Sequence, residues 1–373
     1  MTTFITKLDT TGTGPRVAVK DLIDVVGVPT TAGSRAIERT AQPAVADAPC
    51  LAGARAAGAR LVGKANLHEL AMLPIGTNPW FGSPVNPLDP DLIPGGSSSG
   101  SAVAVATDEA DVAYGSDTGG SVRVPSACCG TAGLKTTHGR IPIDGVYPLA
   151  PSLDTIGPMA TTIAGVILGM QLLEPGFRPS AAPARTIGRI RTSGDPAIEA
   201  AIDAALRAAE LEVVILDVDL EAGANLFAPI YFAEVWDVDH DLVEANPDAV
   251  GADITEMVTV ASAFRAGVDE ARAALDEWRR SLFALFGQVE LLALPTLPIF
   301  PPRLDALTPD TFLPMVLEIT KHVVFVNAAG IPATAQPVPA AGSRIPASLQ
   351  LVGPLGGEEL LVTTAAHVES ALA

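Results

Sequence analysis

Lys20, Ser97 and Ser121 are the residues whose types and settings could do chemistry. Lys20 lies in Val-Ala-Val-Lys-Asp-Leu-Ile-Asp (17–24), Ser97 in Gly-Gly-Ser-Ser-Ser-Gly-Ser (95–101) and Ser121 in Gly-Ser-Asp-Thr-Gly-Gly-Ser-Val-Arg (115–123). A serine hydroxyl is a poor nucleophile near neutral pH unless a base stands beside it. Ser121 follows Gly119 and Gly120, which let the backbone turn tightly and leave its amides open. The amides of Thr118, Gly119, Gly120 and Ser121 could then converge on an oxyanion, where losing one donor costs a few kcal/mol of barrier. Taken alone, the tripeptide is equally compatible with a glycine turn of no catalytic importance.

The base could be a histidine or a lysine. His68 (in Asn-Leu-His-Glu-Leu), His138 (in Thr-Thr-His-Gly-Arg), His240, His322 and His367 sit in no motif-like setting. The first two read as surface or hydrogen-bonding positions. Lys20 is different, because Val17, Ala18 and Val19 before it read as a buried strand. Burial disfavours the ammonium form and lowers the pKa, so a neutral amine could accept a proton. The alternative is that Lys20 pairs with Asp21 or Asp24 and stays charged.

The elements that must position these groups belong to a globular chain of 373 residues, 48% of them apolar. The net charge of −19 argues against nucleic acid and anionic membrane surfaces as partners. The apolar stretch Ile163 to Leu173 is too short to span a bilayer and reads as a buried helix. The N-terminus has no signal-peptide layout. Cys50, Cys128 and Cys129 form no metal pair and no even disulfide framework, which fits a reduced, cytoplasmic setting. Cys128 and Cys129 read as small interior hydrophobes. No motif calls for a metal or a cofactor.

Along the chain, residues 16–26 read as a strand or hairpin edge, and 47–62 as a helix running into a short strand at 61–63. The Pro-, Gly- and Asn-rich stretch 73–99 reads as an ordered loop. A helix follows at 101–106 and a strand at 111–115. Residues 186–191, 196–209 and 212–218 read as strand, helix and strand, the pattern of a parallel crossover. Residues 221–286 are largely helical. Strands return at 291–294 and 348–352, and a helix closes the chain at 357–372. With no repeats and no flexible linker, one continuous α/β domain over 1–373 with a helical insertion is the economical architecture.

Residues 15–160 resemble the amidase signature family of hydrolases. The resemblance is carried by Val-Lys-Asp (19–21), Gly-Lys-Ala-Asn (63–66), Phe-Gly-Ser-Pro-Val-Asn-Pro (81–87) and Pro-Gly-Gly-Ser-Ser-Ser-Gly-Ser (94–101). It continues through Gly-Ser-Asp-Thr-Gly-Gly-Ser-Val-Arg-Val-Pro (115–125), Gly-Leu-Lys-Thr-Thr-His-Gly-Arg (133–140) and Ser-Leu-Asp-Thr-Ile-Gly-Pro (152–158). Weaker echoes stand at 294–296, 327–332 and 349–354. It implies a central mixed sheet with helices on both faces, core motifs at 15–160, a variable substrate region at about 180–290 and a return to the sheet at 290–373. It also implies roles. Ser121 would be the acyl nucleophile, and Ser97, after a cis Gly96–Ser97 bond, would pass its proton to Lys20. Ser98, Asp117 and Arg123 would hold the loop and the lysine through hydrogen bonds.

The implied reaction is hydrolysis of a small-molecule amide through an acyl-enzyme, releasing acid and amine, and the family leaves room for a homodimer. Ala71, Met72 and Leu73 align near the acyl pocket, and their apolar character suggests a small or aliphatic acyl group. They could equally be core. Three departures stand out. Only 19 residues precede Lys20, Thr136 replaces a usual proline, and Arg344-Ile-Pro-Ala-Ser-Leu-Gln replaces the usual Gly-Leu-Pro-Val-Gly-Leu-Gln. None touches the three central residues.

Two rivals share these motifs. An α/β-hydrolase esterase would use Ser98 in Gly96-Ser-Ser-Ser-Gly100, but needs a strand before Gly96 and a histidine partner. A glutaminase-type component of an amidotransferase would keep the same serines.

Overall fold

The computed structural model describes residues 2–373 and gathers eleven strands into one mixed sheet. In chain order they are β1 (Phe4–Lys7), β2 (Arg16–Lys20), β3 (Arg60–Ala65), β4 (Val112–Ser116), β5 (Ala132–Lys135) and β6 (Ile156–Ala160). Then come β7 (Thr186–Ile190), β8 (Glu212–Leu216), β9 (Leu291–Pro295), β10 (Ala333–Val338) and β11 (Ala347–Val352). Their spatial order is β1-β3-β2-β4-β6-β5-β10-β11-β9-β7-β8. β3, β2 and β4 run parallel, as do β9, β7 and β8, and the strands between them are antiparallel.

β2 is a central strand, not a hairpin edge: Val17 faces both Leu61 of β3 and Val112 of β4. It ends at Lys20, because Asp21 begins a turn whose carboxylate accepts from the Thr31 amide. Its alternation assigns the two faces. Val17 and Val19 pack with Leu61, Val112, Tyr114 and Val166 in one core layer, while Ala18 packs with Ala102, Ala113 and Met159 in another. Helices Ile163–Leu173, Pro196–Ala208 and Glu358–Leu372 cover the first face; helices Ser99–Ala106 and Arg123–Cys129 lie on the second. Small residues on that second face let the Ser99–Ala106 helix approach closely and carry the serine run down to the sheet.

The crossover at 186–216 forms as expected, with β7 and β8 parallel. The helix expected over 47–62 is only a turn at Pro49–Leu51 followed by Ala52–Ala56, since Arg60 already belongs to β3. Between β8 and β9 the insertion consists of helices Leu220–Ala245, Ala252–Ala261 and Val268–Phe283. Its first helix packs against the helix Val324–Ala329, and the insertion lines a cavity shared with Ser121. Among the described residues, no helix is long and apolar enough to cross a membrane.

Candidate active site

Lys20, at the end of β2, is fully buried. Its Nζ donates to Ser97 Oγ at 2.7 Å and to Ser116 Oγ at 2.8 Å. Burial pushes its pKa down from 10.5 to about 7, a shift that the charges of Asp117 and Asp154 only partly oppose. The alternative pairing does not occur. Asp21 is taken by Lys64 at 3.0 Å, and Asp24 accepts from the Thr30 hydroxyl. Nothing therefore holds Lys20 in its charged form by direct contact with a carboxylate.

Ser121 sits at the tip of a turn built around Asp117. The Asp117 carboxylate accepts from the amides of Gly120 (2.8 Å) and Val122 (3.2 Å), on either side of Ser121. The Arg123 guanidinium bridges both Asp117 oxygens and reaches Val323 O, Gln350 Oε1 and Asn327 Oδ1, so all five of its N–H donors are used. Burial alone would raise the Asp117 pKa; the Arg123 and Lys135 charges reverse this and hold it below the ordinary carboxylate range. Such a buried pair is costly to break, by about 3–5 kcal/mol. Gly120 has φ 114°, and a Cβ there would come within 2.5 Å of Val323. Only glycine fits.

This geometry corrects one expectation. The Gly120 amide is engaged by Asp117 and cannot face an oxyanion. Those of Thr118, Gly119 and Ser121 have no partner among the described residues. Ser98, Asp117 and Arg123 do brace the loops, and Ser98 Oγ donates to Ser116 O at 3.3 Å. They do not hydrogen-bond the lysine; Asp117 bears on it through charge alone.

The two serine segments lie side by side. The Ser98 amide donates to the Ser121 carbonyl at 3.3 Å, and the Gly96–Ser97 bond is cis. Ser121 is 8% exposed and opens into a cavity of about 430 Å³. Its hydroxyl makes no hydrogen bond to Ser97 in this structure. Ala71, Met72 and Leu73 line the same cavity, opposite Phe227, Tyr231 and Met257 of the insertion. Phe227 and Tyr231 stack at 5.2 Å between ring centres. Glu221, Glu318 and Lys321 also line it, and the last two approach each other at 4.0 Å on the exposed side.

Three residues escaped the sequence reading. Ser116, the second partner of Lys20, stands inside the Gly-Ser-Asp-Thr motif, but nothing in the motif separates it from the other serines. Asp154 accepts from the Thr118 hydroxyl at 2.6 Å and from the Leu149 amide at 3.0 Å, tying the Ser121 turn to the cavity wall. Lys135 is buried and also pushed down to about 7, chiefly by burial, with its Nζ on the carbonyls of Thr136 and Ile331. All three lie within quoted motifs, which mark the segments without singling these residues out.

The histidines have other partners. His68 is buried, contrary to a surface reading, and its Nε2 lies 3.1 Å from Asp253 Oδ2. His322 is buried on Pro295 O and pushed down to about 4 by that burial. Among the described residues, no histidine ring bonds a serine of 95–101 or 115–123. No strand precedes Gly96 either, so the Ser98 esterase arrangement is absent. Burial pushes the Cys50 thiol up to about 12, and those of Cys128 and Cys129 higher, which leaves them unreactive.

Residues 13–362 match the family model described as Amidase. The chain is 33% identical to a glutamyl-tRNA(Gln) amidotransferase chain, the A component, of Halobacterium salinarum, covering 95% of each. It is 32% identical to the 2-amino-5-chloromuconic acid deaminase of Comamonas testosteroni, over 96% of this chain and 81% of that protein. Among solved structures it resembles a crystal structure of amidase (TM-score 0.86, 26% identity, 96% of this chain and 85% of that one). It also resembles 6-aminohexanoate cyclic dimer hydrolase (TM-score 0.82, 25% identity, 96% and 84%).

Proposed function

The chain belongs to the amidase family of carbon–nitrogen hydrolases, and on that premise we propose that Ser121, Ser97 and Lys20 hydrolyse a small-molecule amide through an acyl-enzyme. In the first half-reaction Ser121 Oγ attacks the amide carbonyl. Its proton passes to Ser97 Oγ as the Ser97 proton passes to neutral Lys20 Nζ. The negative charge on the former carbonyl oxygen meets the amides of Thr118, Gly119 and Ser121. The carbon–nitrogen bond then breaks, and the proton returns by the same path to the departing amine. Water enters, gives a proton to the relay, attacks the ester and releases the carboxylic acid with Ser121 restored.

The single observation that carries this reading is the Lys20 environment. It has two hydroxyl partners, no carboxylate, and a pKa near neutrality through burial. Catalytic hydrogen bonds in a site without substrate are often unmade and form in the complex, so the Ser97–Ser121 link belongs to the loaded enzyme. The apolar walls beside Ser121 favour an uncharged acyl group.

A panel of amides differing in acyl size and charge, with Ser121→Ala as control, tests the reading. Turnover of uncharged aliphatic or aromatic amides by the isolated chain supports it. A second reading, the glutaminase half of an amidotransferase, is favoured by the 33% identity to the Halobacterium salinarum amidotransferase chain. Activity restricted to glutamine, and only with added partner chains, would establish that one instead.

A further inference from the structure

The strap His68–Leu73 serves the cavity wall and the Ser97 backbone at once. Ala71, Met72 and Leu73 line the cavity beside Ser121. The His68 amide donates to the Ser97 carbonyl at 3.0 Å, and the Gly96 amide donates to the Pro74 carbonyl at 2.6 Å. Between these ends the backbone turns the wrong way for L residues: Leu70 has φ 53° and Ala71 φ 58°. Non-glycine residues hold that conformation only where their surroundings enforce it.

One restraint comes from nearby, since the Ala32 carbonyl accepts from the Leu70 amide at 2.8 Å. Three others come from the helical insertion, which is remote in sequence. His68 Nε2 meets Asp253 Oδ2 at 3.1 Å, the Gly251 amide donates to Glu69 Oε2 at 2.8 Å, and the Tyr231 hydroxyl donates to Met72 O at 2.7 Å. Gly251 explains itself on this view. Its φ of −63° suits any residue, yet a Cβ there would stand 2.6 Å from Asp253 Oδ1 and 2.9 Å from Glu69 Oε2. Room for two carboxylates, not backbone freedom, calls for glycine.

We propose that the start of the Ala252–Ala261 helix, Gly251 to Asp253, positions the acyl cavity, fixing the strap through His68 and Glu69 so that the insertion sets which acyl groups are accepted. These residues do not touch the reacting atoms; they act through Ala71, Met72 and Leu73. The proposal rests on the reading of the Ser121 cavity as the acyl site.

The test is a comparison of acetamide with hexanamide in Gly251→Ala and Asp253→Asn, the second keeping side-chain shape should the first fail to fold. The expected result is a fall of about tenfold in the hexanamide-to-acetamide ratio of kcat/KM, carried by KM and not kcat. Hexanamide binding to the Ser121→Ala protein, read by calorimetry, should weaken by a similar factor when Gly251→Ala is added. A ratio unchanged within twofold, or an equal loss of kcat on both amides, would overturn the proposal. Covalent labelling that survives Ser121→Ala would sink the nucleophile assignment alone, because the binding comparison needs no turnover.

Discussion

Two fully buried lysines in this molecule are each pushed down to about 7, and they meet different partners. Lys20 ends β2 and Lys135 ends β5. In both, burial is the largest influence, and Asp117 pulls each partly back towards its charged form. They differ in the atoms they meet. Lys20 Nζ lies on the hydroxyls of Ser97 and Ser116, and Lys135 Nζ on the carbonyls of Thr136 and Ile331. A hydroxyl accepts and donates, so it can hand a proton on; a carbonyl only accepts. Lys64 supplies a third case, set against the Asp21 carboxylate at 3.0 Å. Three fully buried lysines thus stand in three settings: one on hydroxyls, one on carbonyls and one in an ion pair.

The comparison can be broken at several points, beginning with the largest effect. Ser121→Ala should lower kcat by about 10⁴-fold or more and abolish labelling by a fluorophosphonate. Lys20→Met should cost about 10³-fold in kcat/KM with a stability change of less than about 2 kcal/mol, because removing a poorly compensated buried amine is offset by the two buried hydroxyls left without their partner. Denaturant titration reads the second half of that prediction, and a larger shift would count against it.

Lys135→Met should spare the rate. Activity should fall less than about tenfold, with a similarly small stability change, since the buried amine removed is offset by two buried carbonyls that lose their donor. If instead Lys135→Met matched Lys20→Met in rate, the distinction by partner chemistry would fail. The smallest effect is expected at His138, which is exposed on a loop: His138→Ala should change stability by less than about 0.5 kcal/mol and leave the pH profile intact.

The candidate site was legible because its signals are local. Ser97 and Ser121 each stand in a short run of glycines and serines that announces a special backbone, Lys20 follows the apolar run Val17–Val19, and the structure draws the three segments together. Partners that depend on folding were not legible. Ser116 reaches Lys20 only because β2 and β4 lie side by side, and the Gly120 amide is lost to Asp117 only because the turn closes on itself.

In the fold, the crossover at 186–216 carried a clear strand–helix–strand rhythm. β5, β6 and β10 did not. They read Ala-Gly-Leu-Lys, Ile-Gly-Pro-Met-Ala and Ala-Thr-Ala-Gln-Pro-Val, short strands with glycine or proline inside. Nearly every position in them is buried, so the alternation that marks a half-exposed strand never appears. The cavity's far wall was hidden for a different reason. Phe227 and Tyr231 stand one helical turn apart, the spacing of any core-facing stripe, and only the packing of the insertion shows that they face Ser121.

The rate at which a small fluorophosphonate labels Ser121, followed from pH 5 to 9 in the native protein and in Lys20→Met, tests the central claim most directly. Only the neutral amine accepts a proton, so native labelling should climb about tenfold per unit below pH 7 and level off above it. In Lys20→Met it should be slow and without that step. The same step near pH 7 in both proteins would show that some other group takes the proton, and the account would be wrong.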